Sequence, residues 1–423
     1  MINIIIHIVK QGESLHSISK LYSVPIDNLI VDNDIKDPNM ILSNQSIVID
    51  KIDTDHLYKN GESIEKIAEL YNIALDELLS INPGISNPND IIPGTRICVQ
   101  RNKYKDIEVN GYIYPNINMQ VLKQTLPHLT YLSIFSYAVN TDGSLDNIDD
   151  LYLIKLAKEQ QVAPLMVITN KYFSSYIARG VLNNSEIQNT LLDNILHTLK
   201  TKEYYGLNID FEYIFPGDRK AYNSFLQRTS EILEPLGYPV FTALAPKISS
   251  EQTGMLYEAH DYKIHGELGD CTILMTYEWG YTYSTPMAVA PARRVKQVLD
   301  YAIKEIPAHK ILMGIPNYGY DWRLPWIQGT AASALSNNNA IQRAIDYSAE
   351  LRYDPHAHSP YFYYYDEIDK LHVVWFEDAR SIKAKLSLVN QYNLAGISYW
   401  TVNRFFPQNW IVLKSMFNIV KIL

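Results

Sequence analysis

Three polar side chains at alternate positions suggest chemistry. In Gly206-Leu207-Asn208-Ile209-Asp210-Phe211-Glu212-Tyr213, the residues Asn208, Asp210 and Glu212 alternate with apolar Leu207, Ile209 and Phe211. On a β-strand alternate side chains share a face. The polar three then point one way, roughly 6.5–7 Å apart along the backbone. Two acids buried side by side repel each other and lose hydration. One pKa rises, so one carboxyl stays protonated near neutral pH. Such a carboxyl is a general acid, the group that glycosidic-bond cleavage needs. The same pattern also serves a rim ion-pair network, so position must decide between the two.

Position comes from the rest of the chain. From about Tyr104 to Leu423, short apolar runs alternate with longer helical stretches, which predicts an α/β fold with a parallel sheet. Candidate strands are Glu108–Tyr112, Tyr131–Tyr137, Pro164–Thr169, Gly206–Phe211, Val240–Ala245, Thr272–Tyr277, Ile311–Pro316 and Gly396–Trp400. Eight strand–helix units suit a (β/α)8 TIM barrel, whose sites form at the C-terminal ends of strands. Asp210 and Glu212 close the fourth strand, which favours catalysis over a rim network. Asp218 is expected to cap a helix with Tyr222, Phe225, Leu226, Ile232 and Leu233 inward, stopped by Pro235-Leu236-Gly237. Residues 321–376 break the alternation. Tyr361–Tyr365 and Val373-Val374-Trp375 read as strands of a small α+β insertion after strand seven, on the catalytic face.

The first hundred residues repeat themselves. Gly12-Glu13-Ser14-Leu15 returns 49 residues later as Gly61-Glu62-Ser63-Ile64. Ile18, Leu21, Tyr22, Asp27, Leu29 and Asn33 return at the same interval as Ile67, Leu70, Tyr71, Asp76, Leu78 and Asn82. After one inserted residue, Pro38-Asn39 and Ile41 return as Pro88-Asn89 and Ile91. This is a duplicated module. Each copy reads strand, helix, helix, strand, with Ser14 and Ser63 as N-caps and Gln45–Ile49 and Thr95–Val99 as closing strands.

Composition narrows the class. The chain has 423 residues, enough for two or three domains, and a formal charge of −9. That charge argues against a nucleic-acid binder driven by phosphate contacts. No apolar run approaches a membrane span of about 20 residues. The N-terminus lacks the features of a secretory signal, since His7, Lys10 and Glu13 follow Ile4-Ile5-Ile6 at once. Cys98 and Cys271 support neither a disulfide framework nor a four-cysteine metal site and read as buried thiols. His356 and His358 are near each other in a loop without further ligands, so no metal or cofactor is expected. The oddity is aromatic: 32 Tyr, 11 Phe and 6 Trp. Such rings fill cores, or stack on sugars.

At Gly-Glu-Ser-(Leu/Ile), the helix face and the following Asn, both repeats resemble LysM modules, over residues 7–49 and 57–99. The resemblance implies two βααβ units that bind N-acetylglucosamine-containing glycans; spacer or protein-docking units are the alternative. The remainder, 104–423, resembles glycoside hydrolase family 18. Its strand-four pattern Asp-Gly-x-Asp-x-Asp-x-Glu meets Tyr205-Gly206-Leu207-Asn208-Ile209-Asp210-Phe211-Glu212 here, with Tyr205 and Asn208 as departures. Met275-Thr276-Tyr277-Glu278 is similar to the family's Met-x-Tyr-Asp, with Glu for Asp, and Gly314–Gly319 and Gly396–Trp400 match strands seven and eight.

The resemblance implies Glu212 as acid and then base, Asp210 orienting the substrate's acetamido group and Tyr277 bonding its oxygen. That oxygen is the nucleophile, giving retention. Trp400 floors the sugar, and Asn208, Glu278 and Tyr318 complete the substrate contacts, with Asn208 bonding Asp210. The paired LysM modules, Tyr277–Tyr281, Trp375–Arg380 and Phe406–Trp410 are similar to the N-acetylglucosaminidases that endospore-forming bacteria direct at spore cortex fragments during germination. The implied partner is peptidoglycan or another N-acetylglucosamine glycan, with spore coat proteins as further candidates. The implied setting is the spore coat or cortex surface, reached from the mother-cell cytoplasm without a signal peptide. A chitinase, or an inactive glycan-binding spore-coat protein, is the alternative.

Overall fold

The computed structural model describes residues 4–50, 55–71, 73–82, 84–85, 87, 91–99 and 105–423. They form two compact units. One gathers residues 1–106 with 378–386 and 406–418; the other gathers 107–377, 387–405 and 419–423.

The larger unit is a closed parallel barrel. Its strands are β1 (Asp106–Ile113), β2 (Tyr131–Val139), β3 (Ala163–Asn170), β4 (Gly206–Ile209), β5 (Val240–Leu244), β6 (Cys271–Leu274), β7 (Ile311–Pro316) and β8 (Gly396–Trp400). Each pairs in parallel with the next. The pairing of β8 with β1, Gly396 opposite Glu108 and Tyr399 opposite Gly111, closes the ring. Its interior is filled by large apolar side chains, among them Tyr131, Leu165, Val167, Phe241 and Ile273.

All eight expected strands form; β5 stops one residue early, β4 two and β6 three. β4 ends at Ile209 because only the Asp210 N–H continues the ladder, to Ile168 O at 2.9 Å. β6 ends at Leu274 because the Thr276 and Tyr277 N–H groups bond carbonyls two residues back, at 2.8 Å each, which coils the chain. The helix after β4 spans Arg219–Leu233 and buries Tyr222, Phe225, Leu226 and Leu233. A tight turn at Glu234–Leu236 ends it, with Gly237 at φ +81°. Asp218 precedes this helix but does not cap it. Its carboxylate instead accepts from Arg179 Nε (2.8 Å) and Asn183 Nδ2 (3.1 Å), because a charged donor outcompetes a backbone amide.

The insertion after β7 is a five-stranded antiparallel sheet, in the order Ser333–Leu335, Gly319–Arg323, Leu371–Trp375, Ser359–Tyr365, Arg352–Asp354, with a helix at Asn337–Asp346. Phe362 and Tyr364 are buried while Tyr363 and Tyr365 are exposed, the alternation of a half-buried strand.

In the smaller unit, Ile4–Ile8 pairs antiparallel with Ser46–Asp50 around helices Leu15–Tyr22 and Ile26–Asp32. Asp55–Leu57 pairs with Arg96–Cys98 around Ile64–Leu70 and Leu75–Ser80. Both serine caps form, Ser14 accepting from the Ser17 N–H and Ser63 from the Lys66 N–H. The repeated asparagines are clips. Asn33 Nδ2 donates to Leu29 O and Val48 O while its Oδ1 accepts the Val48 N–H. Asn82 does the same with Leu78 O and both backbone groups of Cys98. Each ties the second helix to the closing strand. The repeat positions Pro88 and Asn89 lie outside the described residues. Cys271 is buried as expected, but Cys98 is half-buried. Among the described residues no helix is long and apolar enough to cross a membrane.

Candidate active site

The end of β4 carries the acids at two depths. Asp210 is 3% exposed, and its Oδ1 has no hydrogen-bond partner among the described residues. Burial pushes its pKa well above the usual carboxylate range. Glu212 is half-buried at the mouth of a cavity. Burial raises its pKa, and the nearby charges of Asp210 and then Glu278 raise it further. Asn208 lies deeper and is fully buried. Its Nδ2 donates to Tyr112 Oη (2.7 Å) and Ser133 Oγ (3.3 Å) rather than to Asp210. The expected Asn208–Asp210 hydrogen bond does not form. Phenol and hydroxyl acceptors on β1 and β2 claim its amide at the barrel interior.

The backbone beyond β4 is held by side chains from elsewhere. Asn170, at the end of β3 and 1% exposed, accepts the Glu212 N–H (3.0 Å) and donates to Glu212 O (2.9 Å). His260 accepts the Ala245 N–H at Nδ1, so its Nε2 carries the proton and donates to Phe211 O at 3.0 Å. Ser175 Oγ donates to Tyr213 O, where the chain takes a left-handed φ of +53°. Sequence reasoning missed Asn170; the polar pair Thr169-Asn170 closing an apolar strand is its only local signal.

Beyond β6, Tyr277 lies mostly buried against the cavity and Glu278 sits at φ +65°. The Glu278 carboxylate accepts from Tyr318 Oη and from Tyr320 Oη (3.1 Å), and burial raises its pKa. Tyr277 reaches its place because residue 314 has no side chain. A Cβ there would lie 2.7 Å from Tyr277 Cε1 and 2.5 Å from Leu274 O. Trp400, ending β8, is wedged edge-on among Phe135, Tyr112 and Tyr114, with ring centroids 4.9, 5.4 and 5.8 Å away.

A cavity of about 490 Å³ is lined by Asp210, Glu212, Tyr277, Glu278 and Trp400 together with Tyr114. A second of about 360 Å³ adjoins it across Tyr114, Glu278 and Trp400 and is lined by Tyr318. Five of the seven expected residues therefore share one cavity, Tyr318 borders the next, and Asn208 lines neither. Among the described residues no group of three His, Cys, Asp or Glu side chains could hold a metal ion.

A closed barrel with an acid past strand four, a tyrosine past strand six and a tryptophan ending strand eight defines a class of glycoside hydrolase. The chain belongs to glycosyl hydrolases family 18, which matches residues 104–404, and the LysM domain pattern matches residues 7–50 and 59–100. It is similar to the cortical fragment-lytic enzyme of Bacillus subtilis (strain 168), at 42% identity over 98% of this chain and 99% of that one. The cortical fragment-lytic enzyme of Bacillus cereus is 37% identical over 98% of each. Among solved structures, the spore cortex-lytic enzyme SleL of Bacillus megaterium QM B1551 matches with a TM-score of 0.89 and 37% identity over 100% of both chains. A chitinase from Chromobacterium violaceum ATCC 12472 reaches 0.69 at 25% identity, covering 73% of this chain and 98% of its own.

Proposed function

We propose that this chain cleaves β-1,4 bonds after N-acetylglucosamine in peptidoglycan, acting on spore cortex fragments during germination, with the substrate's acetamido oxygen as nucleophile. The observation that carries this reading is that Asp210 and Glu212 reach one cavity from one strand end. A two-carboxylate glycosidase sets its carboxyls on either side of the scissile bond. Asp210 and Glu212 instead stand two residues apart just past the end of β4, and both line this one cavity. Glu212, protonated because it is buried among acids, donates to the leaving oxygen and then takes a proton from water. Asp210 orients the acetamido group and balances the positive charge growing on its nitrogen. Tyr277 donates to the acetamido oxygen, Trp400 floors the sugar, and Glu278 with Tyr318 borders it.

The cortex is favoured over chitin because the cortex-directed relatives match the whole chain, whereas the chitinase match covers 73% of it. On this reading the LysM modules hold the insoluble glycan, the enzyme works at the spore coat or cortex surface, and coat proteins are candidate partners.

The test is mass spectrometry of reduced digests of purified cortex fragments. New reducing ends should be N-acetylglucosamine. Replacing the N-acetyl group at the cleaved sugar by a free amine should nearly abolish turnover, and an oxazoline-mimicking thiazoline should inhibit competitively. New muramic ends would overturn the bond assignment. A glycosyl adduct trapped on Asp210 or Glu212 by a fluorosugar would overturn the nucleophile.

A further inference from the structure

The peptide unit that leads into Glu212 is gripped at both ends by side chains. β4 ends at Ile209, so the backbone polar groups of residues 211–213 must find partners outside the ladder. The Glu212 N–H goes to Asn170 Oδ1 (3.0 Å). The other end of the same peptide, Phe211 O, accepts from His260 Nε2 (3.0 Å). The two grips come from the two strands that flank β4. Asn170 closes β3, and His260 is tied to the chain just past β5, where its Nδ1 accepts the Ala245 N–H (2.8 Å). The segment that carries His260 is itself pinned there. Lys247 Nζ donates to His260 O (3.0 Å), and Tyr262 Oη donates to Ala245 O (2.6 Å) while accepting the Lys247 N–H (2.9 Å). The ring is 1% exposed, lies near Tyr222 and His265 with centroids 6.1 and 6.5 Å away, and lines neither cavity.

We propose that His260 is a positioning residue for the cleavage reaction: with Asn170 it fixes the plane of the 211–212 peptide and thereby aims the Glu212 carboxyl into the cavity. This deepens the reading above and rests on it. One hydrogen bond leaves a peptide free to rock about that contact. Two, at its opposite ends and from strands on either side, define its plane. That plane sets the direction in which the Glu212 side chain leaves the backbone, and a small misplacement of a reacting group costs rate more than binding. Imidazole suits the task because its two nitrogens do opposite things, one accepting from the end of β5 and the other donating to the end of β4. Only the neutral ring can do both. Burial chiefly, with the Lys247 charge, lowers its pKa to about 4, so the grip is in place at neutral pH. His260 touches neither sugar nor reacting atoms, and acts through the backbone of the acid.

The experiment uses the full chain and soluble cortex fragments. His260→Ala should lower kcat by about tenfold with KM within about twofold. It should also displace the alkaline limb of the kcat profile, since a carboxyl that shifts changes its burial and its distance from Asp210. His260→Gln keeps an N–H donor for Phe211 O and should recover part of both effects; it also serves where the alanine variant fails to fold. Because both grips hold one peptide, His260→Ala combined with Asn170→Ala should cost less than the product of the two single losses. A lower melting temperature with kcat and the limb unmoved, a glutamine variant no better than alanine, or single losses that simply multiply would overturn the positioning role and leave Glu212 as the acid. Near-normal turnover in Glu212→Gln would sink the acid reading, and this inference with it.

Discussion

In each LysM module a histidine stands between a carboxylate and a phenol. His7 meets Glu13 at 2.7 Å through Nε2 and Tyr22 at 3.0 Å through Nδ1; His56 meets Glu62 at 2.8 Å and Tyr71 at 3.1 Å. Both carboxylates lie below their ordinary pKa, Glu13 chiefly through the Lys10 N–H and then His7, Glu62 chiefly through His56 and then the Lys59 N–H. At the end of β4 the shifts run the other way. Asp210 and Glu212 are raised by burial, and Asp210 Oδ1 has no partner among the described residues. Fully partnered polar groups fix a fold. Buried acids left short of partners hold protons they would otherwise lose, which suits them to chemistry. The same residue types serve architecture in one region and catalysis in the other.

The sharpest way to break that contrast is Glu212→Gln, which keeps shape and removes the transferable proton. Cleavage should fall at least about a hundredfold with circular dichroism unchanged. Near-normal turnover in a folded variant would end the assignment. With Glu212 as the proposed acid, wild-type kcat should also fall as pH rises through its elevated pKa, a limb that Asp210→Asn should shift to lower pH by removing a neighbouring negative charge.

Asn170→Ala tests whether positioning matters as much as presence. It leaves Glu212 in the chain but removes the clamp on its N–H and carbonyl. The expected result is a fall of about tenfold in kcat with KM little changed, and a moved alkaline limb in the pH profile. An unaltered profile with a lower melting temperature would make Asn170 merely structural.

How much of this was readable beforehand follows from how local each signal is. The eight strands are apolar runs, the acids alternate along one strand, and the repeats are compared with themselves, so all three are visible in short windows. The Asn170 clamp joins residues 42 apart in sequence, and the Asn208 amide finds Tyr112, 96 residues back. No window holds such pairs. Asp218 failed as a cap for the same reason, since Arg179 reaches it from another helix. The rings around Trp400 give no local sign of their role, because a periodic pattern cannot tell a ring that fills a core from one that props another ring.

A smaller effect is expected at the partnered histidines. His7→Ala and His56→Ala each delete a buried ring that holds two partners, so each should raise proteolytic nicking within residues 1–100 by about fivefold, the scale of one hydrogen-bonding group. Turnover of soluble fragments should be unchanged, since these residues lie outside the barrel unit. Loss of soluble activity in either variant would erase the distinction between the two regions.

The smallest effect has the opposite sign, which makes it informative. If Glu212 is strained by burial and by its acidic neighbours, losing its charge should stabilise the barrel. Below pH about 4.5 the carboxyl is protonated in both folded and unfolded chains, so wild type and Glu212→Gln should melt together. Between that value and the raised pKa of the folded state, the unfolded chain has lost a proton that the folded chain still holds. Stability of the wild type therefore declines as pH rises through this window, while the glutamine variant has no such term. At pH 8 the inactive variant should melt about 2 °C higher, by the usual conversion for a domain of this size. The corresponding substitution in a module, Glu62→Gln, should lower the melting temperature of that module at the same pH. There the carboxylate is held below its ordinary pKa, so its contribution is present above about 4.5 and lost as pH falls through its lower folded value. Two glutamates changed to glutamine would then shift stability in opposite directions at one pH. A shift of the same sign in both would mean that the acids of β4 are as well partnered as those of the modules.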